Sequence, residues 1–272
     1  MDAFLDDEYA FTAVLYTDNG IIHRAEVDER KFNLDSIQGT ALDRSIIYPS
    51  VDQIEVPVTV FDKDNQCGEI FVKGPNLVAC DASSGESSTT TAHEIRGLEA
   101  IFRGGHLPYV VRYYGCKIED GLVTGICLEK CRYTLEEAIR AGVISDVDKF
   151  IDNVATGIRS IHGVGYVHDD INHTNVMVTS TGEPRIIDFD SAKLTGSPRD
   201  GRKCGTFGWE RESDIAEEEN DTYALPKLKE FIADLLAQST TAGNATGDPC
   251  TVSGAEDSGC RSGGSRCHEI SD

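Results

Sequence analysis

The sequence predicts an α+β protein, with strands gathered in its first half and helices prominent in its second. Short alternating apolar runs crowd the first half, at Phe11 to Tyr16, Ile54 to Phe61, Gly68 to Lys73 and Asn76 to Cys80, then at Val110 to Cys116 and Leu122 to Glu129. From Thr134 onward, helix caps and helical apolar spacing take over. With 272 residues and 39% hydrophobic content, the chain is long enough for one large domain or two small lobes sharing a cleft, with a core that needs no metal or disulfide.

The first sixty residues read as strands joined by long, turn-rich acidic connections. After Asn76 to Cys80, the loop at residues 81–88 leads to a helix over Thr90 to Phe102. The strand pair at Val110 to Cys116 and Leu122 to Glu129 turns at Asp120-Gly121, a dipeptide suited to a two-residue hairpin. Thr134 with Glu137 three residues on makes a capping box, and Gly142 ends the helix it opens. A second helix follows Ser145, where Val147, Phe150, Ile151, Val154, Ile158 and Ile161 form one apolar face. A hairpin then joins Asn175 to Val178 with Arg185 to Ile187 around Thr181-Gly182. Past Gln238 no apolar period survives, so residues 239–272 are expected to be a disordered tail.

Forty-seven acidic against twenty-five basic side chains give a net charge of −22, which repels nucleic-acid phosphates and anionic membrane surfaces. No nucleic-acid or membrane partner is expected. The start, residues 1–11, has no basic segment and apolar run of a signal peptide, and no stretch has the length of a spanning helix. The expected location is intracellular, cytoplasmic or nuclear. The nine cysteines include no CxxC pair; Cys80, Cys116, Cys127 and Cys131 read as small apolar residues. Cys250, Cys260, Cys267 and His268 match no closed zinc spacing and sit among Ser and Gly, so they read as part of the tail.

The strongest constellation is His168-Asp169-Asp170-Ile171-Asn172-His173-Thr174-Asn175, then a hairpin, then Ile187-Asp188-Phe189-Asp190. It resembles the catalytic loop and metal-binding motif of the protein kinase family. The resemblance implies ATP and Mg2+ as cofactors, Asp170 as the catalytic carboxylate, and Asn175 and Asp188 as metal ligands. It extends upstream, where Lys73 ends a strand and Glu94 shares an inward helix face with Leu98 and Ile101, so that Lys73 and Glu94 are expected to pair as catalytic residues. Residues 105–115 resemble the segment leading from that helix to the next strand. Residues 127–131 resemble the hinge, with Leu128 at the back of the pocket and the backbone of Glu129 and Cys131 on adenine. Downstream, residues 205–209 resemble the end of an activation segment, and Asp221 the buried structural aspartate of the second lobe.

The implied fold is a protein kinase-like one with divergent N-terminal strands over 1–60, a first lobe over 61–129 and a shortened, mostly helical second lobe over 130–238. Several positions depart from the family pattern. No GxGxxG loop precedes Lys73, and no Ala-Pro-Glu follows Trp209. Asp169 replaces the arginine that pairs with a phosphorylated activation loop, Asn172 a lysine, and Asp190 a glycine. The implied function is transfer of the ATP γ-phosphate to a protein hydroxyl, Ser/Thr by family default. A pseudokinase that only recruits a partner, and a small-molecule kinase of the aminoglycoside or choline type, stand as alternatives.

Overall fold

The computed structural model describes residues 2–5, 8–19, 21–27, 37–65, 68–75, 86–199 and 205–243. Strands β1 (Asp2–Leu5), β2 (Glu8–Asp18), β3 (Ile21–Val27) and β4 (Thr40–Ala41) form an antiparallel sheet in that order. Two single-turn helices follow, α1 (Arg44–Ile47) and α2 (Val51–Ile54). Each has a side-chain cap: Asp43 accepts from Ser45 N at 2.8 Å, and Ser50 closes a capping box with Gln53. The expected strand at Ile54 to Phe61 is therefore replaced. Ile54 ends α2, and the residues after it make one isolated parallel bridge, Val60 to Cys116.

Strand β5 (Ile70–Lys73) pairs with the later strand of the 113–129 hairpin. The expected strand Asn76 to Cys80 lies outside the described residues. Helix α3 (Glu86–Ile101) begins four residues ahead of Thr90. Its first turns are Ser and Thr, which give no apolar signal from which to read a start. Strands β6 (Tyr113–Glu119) and β7 (Leu122–Glu129) complete a sheet of order β5-β7-β6, and both turn residues, Asp120 at φ 53° and Gly121 at φ 77°, adopt the left-handed conformation this hairpin requires. Val110 is not in β6; it bridges to Ile186 across the lobes.

The second lobe opens with β8 (Tyr133–Thr134) and α4 (Leu135–Arg140), whose capping box joins Thr134 and Glu137. Helix α5 (Val147–His162) is capped by Asp146 rather than Ser145 and buries Phe150, Val154, Ile158 and Ile161. Strand β9 (Tyr166–Val167) follows, then the hairpin of β10 (Val176–Val178) and β11 (Pro184–Ile186), to which β8 adds a third strand. β12 (Lys193–Leu194) pairs with β9. A short helix α6 (Glu218–Thr222) precedes α7 (Ala224–Gly243), which runs five residues beyond Gln238. The remainder of the expected tail, with Cys250, Cys260, Cys267 and His268, lies outside the described residues. No described helix is long and apolar enough to cross a membrane. One apolar core runs from Ile95 and Leu98 of α3 through Phe189 and Ile186 to Val154, Ile158, Leu228 and Ile232, so both lobes pack on the β10–β11 hairpin and the turn that follows it.

Candidate active site

Lys73 closes β5, paired in register with Ile126 of β7. Its stem crosses to α3, where burial of Ile95, Leu98 and Ile101 turns the adjacent Glu94 toward the sheet. Lys73 Nζ donates to Glu94 Oε1 at 2.7 Å and to Asp188 Oδ1 at 2.8 Å. Burial opposes the charge on Lys73, but the two carboxylates outweigh it and hold the ammonium above the usual lysine range. Glu94 is pushed up by burial against the pull of Lys73, with the Asp188 and Asp190 charges adding to the rise. The ammonium is therefore what permits an ionised carboxylate at this depth.

Asp188 follows β11 in a left-handed conformation, φ 66°, which a short carboxylate side chain tolerates. The next residue, Phe189, is buried edge-on against the His168 ring at 5.0 Å and faces Phe102 at 6.0 Å. His168 lies 2.9 Å through Nε2 from the Ile187 carbonyl. Beneath them Asp221, fully buried on α6, accepts from the backbone N–H groups of His168 at 2.9 Å and Asp169 at 2.8 Å. Asp169 is itself left-handed, φ 64°, and the Asp221 carboxylate is what pins that peptide.

The loop so held presents Asp170 and Asn175. Asn175 Nδ2 donates to Asp170 Oδ2 at 3.0 Å and to its carbonyl at 2.9 Å. Ile187 N donates to the Asn175 carbonyl at 3.0 Å, which sets Asp188 beside Asn175 across the hairpin. The structure thus brings Lys73, Glu94 and Asp188 into one cluster, and Asp170 with Asn175 into a second that abuts it. A model of the protein kinase domain matches residues 77–222, more than half of the chain. The chain belongs to the protein kinase family.

Its relatives agree with that membership. The chain is 33% identical over 94 residues to the MAP kinase kinase kinase win1 of Schizosaccharomyces pombe, a match covering 33% of this chain and 6% of that protein. It is 30% identical over 91 residues to the 2-5A-dependent ribonuclease of Mus musculus, covering 30% of this chain and 12% of the ribonuclease. A longer match, 25% over 178 residues, is to the MAP kinase kinase skh1/pek1 of Schizosaccharomyces pombe, with 53% of this chain and 48% of that protein. In each case the chain spans less than half the length of the relative.

At the hinge, Leu128 is buried and faces Phe71 and Tyr113 in the sheet. Glu129 N donates to the Arg112 carbonyl at 2.9 Å, which leaves its own carbonyl, and not its N–H, for a ligand. The N–H of Cys131 donates to no acceptor among the described residues. The Glu129 carboxylate accepts from Arg185 Nε of β11 at 3.0 Å, tying the hinge to the second lobe.

Two contacts in this site escaped the sequence reading. Thr206 donates from both its backbone N–H and its hydroxyl, each at 2.8 Å, to Asp170 Oδ1. The Gly-Thr step before Trp209 was its only trace. Asn172, in the place of a lysine, donates through Nδ2 to Asp170 Oδ1 at 3.0 Å and to Thr206 Oγ1 at 2.9 Å, while its Oδ1 accepts from Thr174 and Asn175. The substitution removes a cation and supplies a hydrogen-bonded hub. Cys116, Cys127 and Cys131 are free thiols whose pKa burial raises, the last to about 11. Cys80 lies outside the described residues.

Proposed function

We propose that the protein transfers the γ-phosphate of magnesium-ATP to a Ser or Thr hydroxyl of a protein substrate inside the cell. One observation carries the reading: Lys73 is held between Glu94 and Asp188, against the hairpin that sets Asn175 beside Asp188. Lys73 positions the nucleotide phosphates, with Glu94 fixing its direction. The Glu129 carbonyl and the Cys131 N–H serve adenine.

Asn175 and Asp188 fit a hard cation. Asn175 gives its Nδ2 to Asp170, so its amide oxygen is the atom left for a metal, and Asp188 adds a carboxylate. Magnesium bound there supplies charge neutralisation at the phosphate oxygens. Asp170 orients the acceptor. Its Oδ1 is filled by Asn172 and Thr206, whereas among the described residues Oδ2 accepts from Asn175 alone, with a lone pair for the proton of the substrate hydroxyl. The MAP kinase kinase kinases among the relatives, and a Dictyostelium discoideum relative described as the serine/threonine-protein kinase dst4, support the substrate class.

A second reading, a pseudokinase that recruits a partner, is favoured by Asn172, which stands beside Asp170 in the place of a lysine and brings no charge to meet a transferring phosphoryl group. Thermal shift with ATP, with and without magnesium, together with transfer to a generic protein substrate, separates the two. Magnesium-dependent stabilisation with transfer supports the first reading, and magnesium-dependent stabilisation without transfer supports the second. In Asp188→Asn the magnesium-dependent part of the shift should vanish. A wild-type shift indifferent to magnesium would defeat the metal assignment.

A further inference from the structure

The segment from Pro49 to Phe61 lies ahead of the 77–222 family match, yet it is woven into the first lobe. Val123 N donates to the Pro49 carbonyl at 2.8 Å and Val51 N to the Gly121 carbonyl at 3.1 Å, fastening one end to the β6–β7 turn. Cys116 N donates to the Thr59 carbonyl at 2.7 Å, and Phe61 N to the Cys116 carbonyl at 2.9 Å, fastening the other to β6. Ile54, fully buried in the core, holds the middle. The segment is a strap across the back of α3.

Between strap and helix lies a cleft of about 480 Å3, bordered by Val56, Val58, Ala100 and Tyr113. One side chain of α3 spans it with three hydrogen bonds. Glu99 accepts from Thr59 N at 2.6 Å and Tyr113 Oη at 2.7 Å through Oε1, and from Thr59 Oγ1 at 2.9 Å through Oε2. The Tyr113 phenol is held protonated, its pKa raised by burial and by the neighbouring Cys116 and Glu99, so it stays a donor to this carboxylate. A second link, Arg96 to Glu55 at 3.2 Å, is solvent-exposed and weak. Glu99 lies five residues after Glu94, more than a helical turn along α3, on a different face of the helix. A helix fixed at one face by Glu99 cannot rotate about its axis, and rotation is the motion that would part Glu94 from Lys73.

We propose that Glu99 is a positioning residue: by tying α3 to the strap and to β6, it keeps Glu94 on Lys73 and so sets the fraction of molecules able to hold nucleotide. The proposal rests on the function assigned above for its nucleotide arm only. Its other arm, the local stability of α3, stands without any ligand.

The test is amide hydrogen exchange and ATP titration on the full chain. In Glu99→Ala, exchange over residues 88–101 should quicken about tenfold and ATP affinity should weaken about tenfold, since apparent affinity scales with the competent fraction. Exchange in α5 should be unchanged. Glu99→Gln should restore both readouts, because its amide oxygen accepts from Thr59 N and Tyr113 Oη and its amide nitrogen donates to the Thr59 hydroxyl. A purely structural loss would instead loosen α5 along with α3, and that outcome overturns the proposal, as does wild-type exchange in Glu99→Ala. Should Glu99→Ala fail to fold, Tyr113→Phe and Thr59→Val each remove one bond and must still quicken exchange in α3 ahead of α5. If the wild type takes no ATP, the assigned function falls and the exchange arm alone decides.

Discussion

Arg199 Nε lies 2.9 Å from Asp169 Oδ2, and the two side chains are 5% and 0% exposed, so a buried ion pair occupies the place where family members join an arginine to a phosphorylated loop. The polarity is reversed: the catalytic loop carries the acid and the activation segment the base. Asp169 also accepts from Asn220 at 2.9 Å, and Arg199 donates to the carbonyls of Arg211 at 3.1 Å and Ser213 at 3.3 Å. The segment bearing Thr206 is thereby fixed to the catalytic loop with no phosphate.

Breaking one side of that pair leaves a buried charge with only a longer ionic contact, Lys193 at 3.9 Å for Asp169 or Glu210 at 3.5 Å for Arg199. Asp169→Asn and Arg199→Gln should each cost about 3–5 kcal/mol in urea unfolding. The double variant should cost less than their sum by about 1–3 kcal/mol. Simple additivity would show that the pair is not coupled.

Lys73→Met should make stability pH-dependent in a set direction. Burial already raises Glu94 above its ordinary value of 4.5, and removing Lys73 removes the attraction that opposes the rise. A carboxylate whose folded pKa stands above its unfolded one supports the fold while protonated and loses that support as pH rises through the folded value. The gap in melting temperature between Lys73→Met and wild type should therefore widen from about pH 5 to about pH 8. A constant gap would mean that Glu94 is not the titrating group.

Gly115→Ala should test how closely the strap approaches β6. A methyl group there would stand 2.5 Å from the Thr59 carbonyl oxygen, on a backbone at φ 103°. The expected cost is about 1–3 kcal/mol, from backbone strain plus the displaced strap. Gly121→Ala has a comparable φ of 77° and open space around it, so it should cost only the backbone part. Equal costs would refute the close approach.

Cys131 offers a probe of the hinge. With its thiol at about 11, alkylation at neutral pH should be slow and should quicken with alkaline pH, in proportion to the thiolate present. Magnesium-ATP should slow it, as followed by mass spectrometry of the Cys131 peptide. Indifference to nucleotide would argue against adenine at this backbone.

The catalytic loop and the Asp120-Gly121 and Thr181-Gly182 turns were legible because each is local: spacing and turn chemistry within a dozen residues define them. Helix α5 was legible through its single apolar face. The strap was not. Ile54 to Phe61 alternates like a strand, but the Ser50–Gln53 box closes a helical turn first, and the partners of Thr59, Glu99 and Cys116, lie forty or more residues on. Nor could spacing reveal that Glu99, seemingly one more solvated helix acid, meets Tyr113. The Asp169 substitution was visible as a departure, but its meaning depended on Arg199, thirty residues away in sequence.

The bond from Glu129 to Arg185 bears on how the cleft opens. Arg185 belongs to the hairpin that leads to Asp188, and Val111 also reaches across, donating its N–H to the Ile186 carbonyl at 3.0 Å. The linker between lobes is thus riveted to the lower half of the molecule. On the function proposed above, opening of the cleft would leave the backbone of Glu129 and Cys131 with Asn175 and Asp188, while Lys73 would move with the β5–β7–β6 sheet. On that same function, a nucleotide held there would be freed at its phosphates before its base.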